Sequence, residues 1–194
     1  MTQLYVDRVI ARQLERHTEV AYAMHSQLDA IQAVADELIR RLDSGGVLYT
    51  YGNGGSAADA QHLVGELIGR YLRERRPLPA VALVGDAAVT SCIANDYGYE
   101  DVFSRQVQAL VRPGDMVVGF STSGTSPTVV KGLAAARSAG ACSVAFTSRR
   151  GIGLAAAADL AIVVPADETA RIQEMHLLAL HMVSELVDQW AAAY

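Results

Sequence analysis

The feature that most constrains this chain is a series of apolar runs, each about five residues long, separated by stretches that read as helices. The runs are Val47–Tyr51, Ala80–Val84, Met116–Phe120, Cys142–Phe146 and Ala161–Val164. Runs this short, with no polar alternation, have the pattern of strands buried on both faces. Between most of them lie Ala57–Leu72, Ala87–Ile93 continuing to Phe103–Val111, Pro127–Ser138 and the short Leu154–Ala158. A closing helix is expected from Ala170 to Ala192, with a stripe of Ile172, Met175, Leu178, Ala179, Met182, Leu186 and Trp190. Strand–helix alternation with short links implies an α/β fold, a doubly wound five-stranded parallel sheet in a three-layer sandwich.

The segment before the first run has a different pattern. From Thr2 to Asp43 there is no Gly or Pro, and Val20, Met24, Leu28 and Ile31, then Val34, Leu38 and Leu42, recur at helical spacing. One long helix or two successive ones are expected, stopped by Ser44-Gly45-Gly46. Residues 1–44 thus form an N-terminal helical extension and 45–194 the α/β domain. Because the crossovers already cover the sheet, the extension is expected to form a helical bundle between subunits.

Bulk properties exclude several classes of function. A chain of 194 residues, 51% hydrophobic and 19% charged, suits one packed domain and not a disordered segment. A net charge of −5 carries no nucleic-acid footprint. No apolar stretch reaches the roughly 18 residues a membrane span needs. Asp7 and Arg8 interrupt the first ten residues, so no signal peptide and a cytoplasmic location are expected. Cys92 and Cys142 lack metal spacing and are expected to be buried free thiols.

Two loops carry the binding chemistry. In an open parallel sheet, ligands sit where strands end and helices begin. The first strand runs into Gly52-Asn53-Gly54-Gly55-Ser56, where the glycines let a ligand approach the backbone and a helix N-terminus offers free N–H groups. No Lys-Ser or Lys-Thr follows, which excludes a Walker loop. Ala57 replaces the third glycine of a dinucleotide fingerprint, and Asp86 lies too far on to bind a ribose. The second loop, Ser121-Thr122-Ser123-Gly124-Thr125-Ser126-Pro127, packs five hydroxyls into six residues before a helix, with Ser126 as N-cap and Pro127 at the first helical position. A hydroxyl-rich cradle without Lys suits reversible binding of a phosphomonoester better than phosphoryl transfer.

A third constellation suggests a metal. His62 and Glu66, four apart on the helix after the first loop, share a face and could chelate Zn²⁺. The closing helix adds Gln173, Glu174, His176 and His181. Gln173 and His181 are about 12 Å apart along an ideal helix; they reach one ion only if long side chains converge or different subunits contribute. His176 reads as a supporting or packed residue, and His17 and His25 as surface or interface residues.

Together these segments resemble the phosphoheptose isomerase family, which has the SIS (sugar isomerase) fold. The resemblance lies in YGNGGSAADAQHLVGELIGRY (Tyr51–Tyr71), IANDYGYEDVFSRQV (Ile93–Val107), STSGTSP (Ser121–Pro127) and ARIQEMHLLALH (Ala170–His181). It implies isomerisation of sedoheptulose 7-phosphate to D-glycero-D-manno-heptose 7-phosphate by a homotetramer with active sites shared between subunits. It implies zinc held by His62, Glu66, Gln173 and His181. Substrate would be bound by Asn53, Gly54, Gly55, Ser56, Glu66, Asn95, Asp96, Ser121, Thr122, Ser123, Ser126 and Gln173. Thr125 stands where many members have Asn, and Ala170 where some have Asp. Non-catalytic relatives that bind the bacterial replication initiator typically lose the last histidine, present here as His181.

Glu66 is then expected to take the carbon-bound proton and His181 to shuttle the proton on oxygen. Rival readings are an isomerase for another sugar phosphate, or a non-catalytic module binding a phosphosugar or a protein partner.

Overall fold

The computed structural model describes residues 3–193, with side chains from Arg8 onward; Thr2, the expected start of the leading helix, lies outside them. Two helices lead, α1 (Gln3–Ala23) and α2 (Leu28–Asp43), joined by a 3₁₀ turn at Met24–Gln27. Gly45, at φ +85°, turns the chain out of α2, a conformation that favours glycine. The α/β part then runs β1 (Leu48–Gly52), α3 (Gly55–Ile68), β2 (Ala80–Ala82), α4 (Ala87–Asp96), α5 (Ser104–Leu110), β3 (Met116–Phe120), α6 (Pro127–Ser138), β4 (Cys142–Ser148), α7 (Ile152–Ala157), β5 (Leu160–Val164) and α8 (Thr169–Ala192). All five strands are parallel, in the order β2-β1-β3-β4-β5.

Alternate residues of each strand feed two separate cores, because successive side chains point to opposite faces. Leu48, Met116, Val118, Phe120, Val144, Phe146 and Ile162 pack with α2, α3 and α8. Tyr49, Tyr51, Val117 and Ala145 pack on the other face with residues of α5 and α6. Every residue of β1, β3 and β4 is buried, which is why their sequences carry no charged residue and only small hydroxyl side chains among the apolar ones.

The structure corrects four expectations. First, α2 does not stand apart from the sheet: Ile31, Val34, Ala35, Leu38 and Leu42 are buried in the main core. The short crossover helices leave that face open beside β5, and α2 closes it. Second, the buried stripe of α8 is Ile172, Met175, His176, Ala179, Leu180, Val183 and Val187, while Leu178, Met182, Leu186 and Trp190 are only partly buried. Third, Cys92 is exposed on α4, and only Cys142 is buried. Fourth, Ser126 occupies the N-cap position of α6, but its side chain makes no capping hydrogen bond.

Among the described residues, no helix is long and apolar enough to cross a membrane.

Candidate functional site

The strand order places the two Gly/Ser-rich loops side by side. From β1 the chain goes outward to β2 on one side and then to β3 on the other, so the carboxyl ends of β1 and β3 flank the point where the winding reverses. That crevice is where open α/β sheets bind ligands. Gly52 at the end of β1 is paired with Phe120 at the end of β3, so the loops that follow them start level.

The first loop is tight. Gly54 has φ +58° and precedes α3 directly, and Ser56 is buried with its N–H donated to the Asn53 carbonyl. In the second loop, Ser121 is buried, and its Oγ accepts from the Gly124 N–H at 3.1 Å. Ser148, fully buried at the end of β4, donates its hydroxyl to the Thr122 carbonyl at 2.8 Å. A neighbouring strand thus fixes the loop from behind, leaving Ser123 and Ser126 only partly covered.

Two turns into α3, three donor groups converge. Glu66 Oε1 lies 2.9 Å from His62 Nε2, and His181 Nε2 of α8 lies 3.1 Å from the same nitrogen. One ligand atom from each residue fits within 4.8 Å of the others, so the group could hold a metal ion. Two imidazole nitrogens facing each other at hydrogen-bond distance can share only one proton between them. With a carboxylate beside them they form an N₂O donor set suited to Zn²⁺. Partial burial, then the neighbouring His62, hold His181 below its ordinary pKa, against the pull of Glu66. The neutral imidazole, the form that coordinates metals, is favoured there. His181 also stacks against the Tyr71 ring at 5.7 Å and opens onto a cleft of about 530 Å³ lined by Ile31, Tyr71, Leu178 and Met182.

Other anticipated residues make their contacts outside this trio. Gln173, about one turn into α8, presses its carboxamide against Gly55, where a Cβ would collide with it. It therefore belongs to the first loop's end of the site. Asn95 donates to Asp96 at 2.8 Å, and both are exposed at the end of α4. His176 is fully buried between Phe120 and Phe146, with Nε2 3.2 Å from the Thr147 carbonyl; it is packed and not a ligand. His17 pairs with Glu174 at 2.8 Å, and His25 is exposed beside the Tyr22 carbonyl.

Three residues of the site escaped sequence reasoning. Asp59 lies one turn before His62, and burial raises its carboxyl to about 6 although His62 pulls the other way. Its spacing with His62 and Glu66 (i, i+3, i+7) was a usable signal. Tyr99 and Thr128 both bond the Asn53 carboxamide. No periodicity marks either one.

A model of the SIS domain matches residues 13–148. The chain is 48% identical to a phosphoheptose isomerase of Roseiflexus sp. (strain RS-1) over 166 residues, 86% of this chain and 84% of that protein. A phosphoheptose isomerase of Geotalea daltonii is 46% identical over 181 residues, 93% of this chain and 94% of the other. Among solved structures, phosphoheptose isomerase from Neisseria gonorrhoeae superposes with a TM-score of 0.90 at 36% identity, covering 95% of this chain and 99% of that one.

Proposed function

We propose, because the chain belongs to the phosphoheptose isomerase family, that it converts sedoheptulose 7-phosphate to D-glycero-D-manno-heptose 7-phosphate with a zinc ion at His62, Glu66 and His181. As a member it is an aldose–ketose isomerase. The observation that carries the zinc reading is the convergence of these three side chains from α3 and α8, 119 residues apart between His62 and His181.

The phosphate is assigned to the Ser121, Thr122, Ser123 and Ser126 loop, whose hydroxyls and helix N-terminus bind an anion without fixed positive charge. Asn53, Gly54, Gly55, Ser56 and Gln173 take the sugar end, with Asn95 and Asp96 at the rim. Isomerisation moves a proton between C1 and C2 through an enediol. Glu66 is the base for the carbon-bound proton, and it also contacts the substrate. His181, whose pKa its surroundings lower, accepts and returns the proton on oxygen through the ring nitrogen that a bound metal leaves free. Zinc, when bound, supplies a Lewis acid that polarises the carbonyl and steadies the negative oxygen.

The family's homotetramer is proposed here too. Ile10, Leu14 and Tyr22 leave α1 with large exposed apolar groups, 63%, 66% and 77% accessible, which suit burial against further copies. Gln173 is proposed as the fourth zinc ligand; its carboxamide meets Gly55 at the start of α3, the helix that carries His62 and Glu66.

Incubating the purified protein with sedoheptulose 7-phosphate, with and without a chelator, tests the reading, the product aldose being identified by NMR. Turnover should vanish with the chelator and return with Zn²⁺. Glu66→Gln and His181→Ala should each lose turnover by at least about 10²-fold with the fold intact. Full activity in either variant refutes the assignment.

A further inference from the structure

The Asn53 carboxamide is held at both ends by residues outside its own loop. Its Nδ2 donates to Thr128 Oγ1 at 2.7 Å, and its Oδ1 accepts from the Tyr99 hydroxyl at 3.1 Å. A carboxamide has two N–H groups and two acceptor lone pairs. One of each is used, and one of each is left for a ligand. A sugar hydroxyl, itself donor and acceptor, matches that remainder.

Both holding residues are governed by α6, the helix that the hydroxyl-rich loop feeds. Thr128, buried, is in its first turn. Lys131, one turn on, pairs with Glu100 at 2.8 Å and Asp101 at 3.1 Å. Those two acids belong to the Tyr99–Asp101 3₁₀ turn, which enters from Gly98 at φ +105°. Lys131 thus straps the turn that carries Tyr99. Tyr97, two residues away, instead lies under the Arg105 guanidinium at 3.6 Å.

We propose that Tyr99 and Thr128 are positioning residues of the isomerase: they fix the Asn53 carboxamide relative to α6, and so set the spacing between the sugar-binding and phosphate-binding loops. Neither residue contacts the reacting carbons in this role. The pair acts through Asn53, and a substrate whose phosphate and hydroxyls do not match that spacing is disfavoured. The kinetic part of this inference rests on the isomerase reading above; the geometric part does not.

The test is a mutant cycle with a ligand-free readout. In the apo protein, one of the two Asn53 side-chain amide protons should be protected from solvent exchange, and the pair should be shifted in ¹H–¹⁵N spectra. Thr128→Val should remove that protection, Tyr99→Phe should shift the Asn53 amide signals by freeing Oδ1, Thr128→Ser should keep both, and Tyr97→Phe should leave both unaltered. Unchanged Asn53 signals in both Tyr99→Phe and Thr128→Val overturn the proposal, whatever the enzyme's substrate. With sedoheptulose 7-phosphate, Tyr99→Phe should raise KM by roughly three- to tenfold, the size of one lost hydrogen bond, with a smaller change in kcat. In an Asn53→Ala background the same substitution should change KM by less than twofold. An equal rise in both backgrounds means that Tyr99 acts independently of Asn53 and overturns the proposal. Failure of the wild type to turn over this substrate defeats the isomerase reading alone, since the amide spectra still decide the geometry.

Discussion

His176 allows the contribution of one buried side chain to be worked through. It is fully buried on α8, with its ring edge-on to Phe120 and Phe146 at 5.9 Å from each. The Nε2–H tautomer donates to the Thr147 carbonyl, and Nδ1 is buried without a partner. Protonation would put a charge and a second N–H into a site with no acceptor for it. Burial therefore drives the imidazole pKa down to about 4, against the pull of the Thr147 bond. In the unfolded chain it titrates near 6.5. Between pH 4 and 6.5 the unfolded state binds the extra proton and the folded state does not, so folding stability rises with pH across that window. The contribution is complete above pH 6.5 and lost as pH falls towards 4. At about 1.4 kcal/mol per pH unit it amounts to about 3 kcal/mol. The wild-type curve alone will not display it, because Asp59 opposes it. Its carboxyl, raised to about 6, keeps a proton in the folded state that the unfolded chain releases near 3.8. Being only partly buried, Asp59 weighs less. The assay is urea unfolding at pH 7 and pH 4.5, with chelator, for the wild type and His176→Gln, which keeps an N–H donor without the titration. The stability difference between the two proteins should shrink by about 2–3 kcal/mol on going to the lower pH. A difference independent of pH, or a His176 NMR titration near 6.5 in the folded protein, would refute the reasoning.

Two further outcomes follow from packing and pairing. Gly132 lies inside α6, where Ala would ordinarily stabilise a helix by about 0.5–1 kcal/mol. A Cβ there would come within 2.5 Å of the Tyr51 hydroxyl and 2.6 Å of its Cζ, in a fully buried ring. Gly132→Ala should therefore lower stability, by about 1–3 kcal/mol in chemical denaturation, and a gain would show that Tyr51 can yield. Asp188 is buried on α8, accepts from the Arg73 and Leu72 N–H groups, and pairs with Arg75 at 3.1 Å. Burial pushes its carboxyl up, but those bonds and the Arg75 charge hold it below the usual range. Asp188→Ala leaves the buried Arg75 guanidinium without its carboxylate and should cost about 3–5 kcal/mol, read as a fall in Tm.

The parts of this molecule legible in its sequence are those set by local pattern. β3 and α6 fall at the expected residues, because an apolar run between turn residues and a Ser-Pro helix start are local signals. His62 and Glu66 were legible as a pair for the same reason, since four residues on a helix fix a shared face. That His181 joins them is not in its spacing; it came from the resemblance, and its physical cause is the packing of α3 on α8. The register of α8 shows where pattern fails. His176, Leu180, Ser184 and Asp188 recur every four residues along one buried ridge, and three of the four are polar. Apolar residues also occupy the partly covered side, at Leu178, Met182 and Leu186, so the stripe drawn from hydrophobicity slid off the buried face at these positions. Asp188 is tolerated in the core because Leu72, Arg73 and Arg75, all on another segment, supply its partners, whereas Ser184 Oγ and His176 Nδ1 are buried without one. The same limit hid Tyr99 and Thr128. A residue whose role is to hold another in place is defined by a contact 46 or 75 residues away, and only the folded chain brings the two together.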